Sequence, residues 1–490
     1  MTPAWTMISA FAGALLLLFL PAGAARATAL VASLVGAVAA AVSCLARLGN
    51  PTGPVWSFDH PWIPTLGARV HFAADGLSLT LLLLTGIVAV SGVLFSWNVT
   101  HRPRAFFAFF LTIIGGVYGV FLSRDAFLLF VCYEIVIVPK YMLIAIWGST
   151  HKEYGAMKLT MYSIGSSALV LVGLAVAYAA SGGTSFDLVH LASAGYSPAL
   201  QSWAFPTLFL GFAVLAGIWP FHTWAPTGHV AAPTAASMLL AGVVMKLGAF
   251  GALCVAMPLF PLGFEQWKPV IAALAVIGIV HGALTALAQK DLKFVIGYSS
   301  VSHMGFVMLG LAAATHWGLR GAVLQMISHG IIAGLLFGIA GRVVYERTHT
   351  RDLSELRQFD LWRSLPGAAT GFTLATAASM GLPGFSGFVA EISVVIGLWE
   401  SFPWLVPVVA LGIIITGAFS LRALHKAFFP VRNPSDSPPP PLPSLTWPEI
   451  SAMALLLAAS LAIGIYPKPW VILIDDGLRS PLFHSILAQP

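Results

Sequence analysis

Long apolar segments separated by short polar loops constrain the fold of this chain more than any other feature of its sequence. The segment "FVCYEIVIVPKYMLIAIWG" (residues 130–148) is typical, and only Glu134 and Lys140 interrupt its apolar character. A helix of this length, at about 1.5 Å per residue, crosses a hydrocarbon core of roughly 30 Å. Because such segments recur along the chain, we expect a bundle of membrane-spanning helices.

The charged content excludes the other fold classes. Charged residues make up 9% of the chain and hydrophobic residues 58%, whereas soluble proteins carry about 25% charged residues. The apolar segments are continuous rather than alternating, which excludes a membrane β-barrel. The net charge of +6 is explained by basic loops beside a lipid bilayer, so no nucleic-acid partner is expected.

We expect an all-α polytopic membrane protein with about fourteen transmembrane helices. The N-terminal 27 residues could instead be a cleaved signal peptide, but the first ten contain no Lys or Arg, which favours a first span. The expected spans are 4–22, 27–46, 76–98, 105–123, 126–147, 157–180, 203–224, 230–257, 269–288, 294–314, 317–345, 366–399, 403–428 and 448–466.

Basic residues are distributed unequally between the two sets of loops. Loops after odd-numbered spans hold fifteen Lys and Arg, including Lys290 and Lys293, and the other loops hold seven. Basic loops stay in the cytoplasm. We therefore expect the loops after odd-numbered spans to be cytoplasmic and both termini to be periplasmic.

The sequence offers no site for a cofactor or metal. Cys44, Cys132 and Cys254 lie in apolar segments and form no CxxC or Cys/His cluster. Neither a GxGxxG nor a GxxxxGK[ST] motif is present. The one prominent linker, residues 432–449, is rich in proline.

Ionisable residues inside the expected spans are few, and each costs about 2.5–3.5 kcal/mol at the centre of a membrane helix. They must therefore face a protein interior or a hydrated cavity. Structural ion pairs are one explanation, and a proton relay is the other, because buried Glu, Lys and His can exchange protons near neutrality. The residues are Glu134, Lys140, Lys246, His281, His303, His329 and Glu391.

Two expected spans are interrupted, one at Pro220 and the other at Gly381–Gly387 around Pro383. Broken backbone at membrane depth is tolerated where it lines a cavity or is buried in protein. Interrupted segments at matching places in two halves indicate a transporter built from repeats. Five spans in each half would make the repeats inverted. Ordinary proline kinks are the alternative.

Four motifs resemble one family: "FHTWAPTGHVAAPTAASMLLAGVVMKLGAFG" (221–251), "QKDLKFVIGYSSVSHMGFVMLG" (289–310), "AVLQMISHGIIAGLLFGIAGRVVYERTHTRDL" (322–353) and "GLPGFSGFVAE" (381–391). The chain is similar to the antiporter-like subunits of proton-pumping NADH–quinone oxidoreductase, respiratory complex I, and "YERTHTRDL" favours the subunit M type.

The resemblance implies fourteen helices with two inverted five-helix repeats and broken helices 7 and 12. It divides the chain into N-terminal helices 1–3 (1–104), a first repeat of helices 4–8 (105–257), a second repeat of helices 9–13 (258–430), and a proline-rich loop with helix 14 (431–490).

The resemblance also implies roles in proton translocation. Glu134 matches a glutamate on helix 5, Lys246 a lysine on helix 8, and Glu391 an exit glutamate on helix 12, while His303 and His329 match the linking histidines. The chain departs from the family at Leu215, where helix 7 usually carries a lysine, and at "TGH" (227–229), where an Asp usually stands.

Lys140 is the candidate replacement for the missing helix-7 lysine. Six residues separate it from Glu134, so the two are not neighbours on a regular helix. Pro139 can kink the helix between them, and a pair through water or across to helix 7 is possible. The alternative is that Lys140 faces a neighbouring subunit or reaches the interface.

The resemblance further implies a subunit of a bacterial inner-membrane complex. Its partners would be the L and N type antiporter-like subunits and the small K and J type subunits. NADH, FMN, iron–sulfur clusters and quinone would be bound by partner subunits, not by this chain. Three alternatives stay open here: a subunit of a membrane-bound hydrogenase-type complex, an Mrp-type cation/proton antiporter subunit, and a structural spacer that no longer pumps.

Overall fold

The computed structural model describes residues 2–51, 53, 55–430 and 439–487, and helices dominate this part of the chain. Long apolar helices follow one another through short loops, and we number the membrane-crossing ones α1 to α14. They are α1 Ala4–Phe19, α2 Ala25–Gly49, α3 Gly76–Phe95, α4 Pro103–Leu122, α5 Ala126–Trp147, α6 Lys152–Ala180, α7 Pro198–Ala216, α8 Thr234–Leu259, α9 Pro261–Ala288, α10 Leu292–Ala313, α11 His316–Thr348, α12 Pro366–Ser379 with Ser386–Ser401, α13 Val406–Phe428 and α14 Trp447–Ile465.

The predicted fold class is confirmed. Within the described residues, twelve helices are long and apolar enough to cross a membrane. The two remaining predicted spans are also helical: α1 is apolar but only 16 residues long, and α12 consists of two shorter helices in series. The observed helices differ from the predicted spans mainly by a few residues at their ends.

Contacts between loops show that the helices alternate in direction. The hairpin of β1 (Trp56–Ile63) and β2 (Ala68–Ala74) follows α2, and its His71 lies 3.0 Å from Asp187 after α6. On the opposite face, the Ser149 hydroxyl after α5 donates to the carbonyl of Val230, which follows the α7 break. We call the first face the even side, because its loops follow even-numbered helices, and the second face the odd side, because its loops follow odd-numbered helices.

Matching contacts on opposite sides of the bundle show the inverted repeat. Asp125 caps α5 and forms an antiparallel bridge with Asp187, which follows α6. Asp291 caps α10 and forms the same bridge with Asp352, which follows α11. The second helix of each repeat is therefore anchored to the segment after the third, on the even side in one repeat and on the odd side in the other. The exact domain boundaries stay a prediction.

Glycine and proline produce the two breaks. Helix α7 ends at Ala216, and the chain then passes through Gly217 with φ +87° before the short helix Trp224–Ala231. The halves of α12 are separated by residues 380–385, where Gly381 has φ +69° and Gly384 has φ +95°. Positive φ is readily adopted only by glycine, so both predicted interruptions are real changes of backbone direction.

Helix α5 carries a milder distortion that also follows from its sequence. Its helical hydrogen bonding is interrupted at Val136, between Ala126–Ile135 and Ile137–Trp147. Pro139 has no N–H to donate to the carbonyl four residues earlier. The distortion lies between Glu134 and Lys140, as the sequence predicted.

The C-terminal part of the chain ties both sides of the bundle together. Residues 431–438 of the proline-rich linker lie outside the described residues; beyond them, Arg347 of α11 pairs with Glu449 at 2.8 Å on the odd side. After α14, the helix Lys468–Leu478 lies on the even side. There its Asp476 accepts two hydrogen bonds from Arg47, at 2.8 and 2.6 Å.

Candidate functional site

Lys246 is the most deeply buried charged side chain of the site. It is 0% exposed and lies in α8 directly after a π-helical turn, Leu240–Val244. Its Nζ donates to the carbonyl of Ala241 and lies 2.7 Å from Nδ1 of His329 on α11. Two residues far apart in sequence thus form a short hydrogen bond in the centre of the bundle.

The Lys246–His329 pair can exchange a proton with little movement. An ammonium group has only donors, so a charged Lys246 donates to an unprotonated Nδ1. If the proton moves to Nδ1, the imidazolium becomes the donor and the neutral amine accepts. The Nε2 atom of His329 is buried and has no protein partner among the described residues, so the ring can take or release a proton on its other edge.

His303 continues the chain of titratable groups toward α12. Its ring centroid lies 5.6 Å from that of His329, Gln325 donates to its Nδ1 at 3.3 Å, and its Nε2 lies 3.1 Å from the hydroxyl of Ser379. The Nδ1 atom is also 3.6 Å from Oε1 of Glu391. This last separation exceeds hydrogen-bond length, so proton transfer there needs a small shift or a bridging water.

The break in α12 makes room for the carboxylate of Glu391. This side chain is 6% exposed. A Cβ atom on Gly381 would lie 2.6 Å from its Oε2, and Gly381 also has a positive φ. The positive φ favours glycine at this position, and the absence of a Cβ leaves the space that the carboxylate occupies, so "GLPG" places a buried carboxylate against irregular backbone. Lys246, His329, His303 and Glu391 thus form one series of neighbouring titratable groups. Water or a small shift must bridge the gap between the two histidine rings and the gap before Glu391.

Glu134 and Lys140 form a second group on α5. Lys140 is 2% exposed, which does not support the alternative that it faces a neighbouring subunit. The two residues interact electrostatically, but they form no direct ion pair among the described residues, and Oε1 of Glu134 has no hydrogen-bond partner there. Tyr133, the residue before Glu134, contacts Phe212 of α7, with ring centroids 6.2 Å apart. This part of α5 therefore packs on α7.

The structure corrects two expectations about basic residues. Lys293 was expected in a loop, but it is the second residue of α10 and is 2% exposed. His281 was expected to face the interior, but it lies on the outer face of α9. Within 269–288, the span expected from the sequence, α9 is apolar apart from His281 and Thr285, so no polar face indicated the direction in which His281 points.

One buried histidine of the interior was not among the predicted site residues. His229 was named only as the last residue of "TGH" (227–229), yet it is 0% exposed, and both of its ring nitrogens lack a protein partner among the described residues. The signal that could have singled it out is a histidine directly before the "VAAPT" (230–234) that leads into α8. That signal does not show which residues cover it.

Comparisons with known proteins place the fold and the site in a family. The family described as "NADH:quinone oxidoreductase/Mrp antiporter, TM" matches residues 123–416. The chain belongs to this family. The "NAD(P)H-quinone oxidoreductase chain 4 1" of Synechococcus sp. (strain JA-3-3Ab) is 40% identical over 446 residues, which cover 88% of this chain and 84% of the relative.

A second relative and a solved structure agree with this assignment. The "NADH-quinone oxidoreductase subunit M" of Pseudomonas aeruginosa is 38% identical over 429 residues, covering 85% of this chain and 83% of that protein. A chain of respiratory complex I from Thermus thermophilus matches with a TM-score of 0.88 at 27% identity, covering 99% of this chain and 100% of that chain. The predicted membership of the complex I family, of the subunit M type, is confirmed.

Proposed function

We propose that protons cross this membrane subunit of the NADH–quinone oxidoreductase family along Lys246, His329, His303 and Glu391. The observation that carries the proposal is the alignment of the four groups, from the 2.7 Å contact at Lys246, through two histidine rings with centroids 5.6 Å apart, to the 3.6 Å approach at Glu391. Structural ion pairs would hold opposite charges in direct contact. Here a lysine meets a histidine and a glutamate faces another histidine, which suits stepwise proton exchange.

Glu134 and Lys140 would act as a second titratable group that responds to charge in the neighbouring subunit and passes that response to α7 and α8. Glu134 is partly exposed on α5, and the neighbouring Val138 is 60% exposed. In the assembled complex this face would contact another antiporter-like subunit of the L or N type, with the K and J type subunits beyond. NADH, FMN, iron–sulfur clusters and quinone would be held by partner subunits.

The exit residue gives the most direct test of this function. Glu391→Gln keeps the shape of the side chain and removes its titration, so we expect NADH-driven proton uptake by the reconstituted complex to fall about tenfold or more. The complex is purified through a tag on this chain and its subunits are identified, which also determines the parent complex. Glu400→Gln, on the exposed face of the same half-helix, is the matched control.

Complex abundance decides how the Glu391 result is interpreted. Proton uptake should fall in Glu391→Gln while the amount of assembled complex stays near that of Glu400→Gln. If abundance and uptake fall by the same factor, Glu391 is a structural residue and the proposed exit is wrong.

We further propose that the odd side faces the cytoplasm of a bacterium and that both termini are periplasmic. With Lys293 moved from the loops into α10, the predicted distribution of fifteen to seven becomes fourteen to seven, and it still supports this orientation. An alkaline phosphatase reporter should be inactive when inserted after His349 and active at either terminus, and a cytoplasmic fluorescent reporter should show the reverse. Phosphatase activity at His349 would contradict the orientation without affecting the proton series.

A further inference from the structure

A polar cavity of about 260 Å³ opens on the odd side of the bundle. Ser96 and His101 after α3 lie on one wall, and Thr234 at the start of α8 lies at its inner end. Arg342 and Glu346 of α11 form an ion pair on the other wall. Arg342 also pairs with Glu449 at 2.9 Å, so charged groups fix the shape of this opening.

The inner end of the cavity meets a buried lysine. A Cβ atom on Gly341 would lie 2.6 Å from Oγ1 of Thr234 and 3.2 Å from Cε of Lys293. Thr234, Gly341 and Lys293 therefore adjoin one another directly behind the cavity. The Nζ atom of Lys293 donates to the carbonyl of Ala232 at 3.1 Å, and its side chain is 2% exposed.

His229 lies near the Ala232 carbonyl that Lys293 binds, because the Ser237 hydroxyl donates to the carbonyls of both His229, at 2.7 Å, and Ala232, at 3.2 Å. Lys246 and His329 are also near its ring. Buried polar atoms almost always have a hydrogen-bond partner, so the two unpartnered nitrogens of His229 are suited to bind water. A neutral imidazole has one donor and one acceptor, and it can pass a proton between two such waters.

Helix α11 gives the order of these groups across the membrane. Its Gly341 adjoins Lys293, and its Phe337 packs on the ring of His229 with centroids 5.1 Å apart. Its His329 contacts Lys246. At about 1.5 Å per residue, Phe337 lies roughly 6 Å deeper than Gly341, and His329 about 12 Å deeper again. The groups thus descend from the odd-side surface to the centre.

We propose that Lys293 and His229 carry protons from this odd-side cavity to Lys246. Gly341 keeps open the passage beside Thr234, because any side chain there would press on Thr234 and Lys293. This inference rests on the proposed function, since it supplies the uptake branch of the same proton series.

A purely structural role for Lys293 is the competing explanation. Ala232 caps the short helix Trp224–Ala231, and a cation near a helix C-terminus is stabilising without any proton transfer. Substitutions separate the two roles. Lys293→Arg keeps the charge and the donor but does not release its proton, and Lys293→Gln keeps a donor without charge. A structural role tolerates at least one of them, whereas proton transfer tolerates neither.

The test measures proton uptake per electron in proteoliposomes that hold the purified complex, with NADH and a soluble quinone as substrates. We expect uptake to fall about tenfold or more in Lys293→Arg, Lys293→Gln and His229→Phe, with the complex assembled. Wild-type uptake in either Lys293 variant overturns the proposal. Lys246→Met is measured in parallel. If Lys246→Met also keeps wild-type uptake, the proposed function itself is wrong. If Lys246→Met loses uptake while a Lys293 variant keeps it, only the uptake branch through Lys293 is wrong.

A matched pair of glycine variants tests the passage without touching a titratable group. Gly341→Ala places a methyl group against Thr234 and Lys293. Gly334→Ala, in the same helix, meets only Cδ2 of Leu456 at 4.0 Å. We expect uptake to fall at least severalfold in Gly341→Ala and to stay at the wild-type level in Gly334→Ala. Equal uptake in the two variants, with equal abundance, would show that the passage is not used.

Discussion

Replacing Lys246 with methionine should abolish proton pumping by the assembled complex. Methionine has a similar length and no titratable group, so it fills the same space without carrying a proton. The change removes the donor that lies 2.7 Å from His329, and the series is then interrupted at its centre. Since positioned acid–base groups contribute about 10²–10⁴-fold to proton transfer, we expect proton uptake per electron to fall below one tenth of its wild-type value.

The control for Lys246→Met is a lysine that lies outside the series. Lys426 is exposed near the end of α13, and Lys426→Met removes the same charge from the chain. Abundance, measured on purified complex, should be similar in the two variants because the buried charge is removed rather than left without a partner. Normal uptake in Lys246→Met would mean that the lysine holds α8 against α11 and that protons take another path.

The membrane spans could be predicted from the sequence because a long apolar segment is helical in a bilayer whichever segments pack beside it. A run such as that of α8, Thr234–Leu259, must be helical in a bilayer, since each backbone polar group needs an internal partner. The breaks in α7 and α12 were equally visible, because Pro220 and the glycines around Pro383 act locally. Among the described helices without a predicted break, α1, with 16 residues, is shorter than a full span.

The pairing of the buried residues could not be predicted from the sequence without the family resemblance. Lys246 and His329 are 83 residues apart, and their contact depends on how α8 packs against α11. Lys293 was assigned to a loop because the expected span began at residue 294. Its burial comes from residues of α8 and α11, of which Thr234 and Gly341 are examples. Burial by residues that are distant in sequence depends on tertiary packing, and no local sequence pattern predicts it.

The departure at Leu215 leads to the second large effect, which concerns Lys140. Lys140→Met should impair proton pumping about as strongly as Glu134→Gln. Lys140 is 2% exposed and interacts electrostatically with Glu134. Either substitution removes one of the two charges, so both variants break the same electrostatic coupling. Proton uptake per electron is the measurement, and Lys426→Met is again the control for loss of one positive charge.

A rescue experiment asks whether Lys140 replaces the lysine that the family carries on α7. Leu215 is 3% exposed and lies three residues after Phe212, so the two share a face of α7. Phe212 contacts Tyr133, the residue before Glu134, so this face of α7 packs on α5 near Glu134. The long side chain of a lysine at 215 could then approach the same carboxylate. We therefore expect Lys140→Met combined with Leu215→Lys to regain most of the lost uptake. If Lys140→Met alone pumps normally, Lys140 takes no part in the relay. If both the single and the double variant fail, the coupling to Glu134 stands, but Lys140 does not occupy the place of the helix-7 lysine.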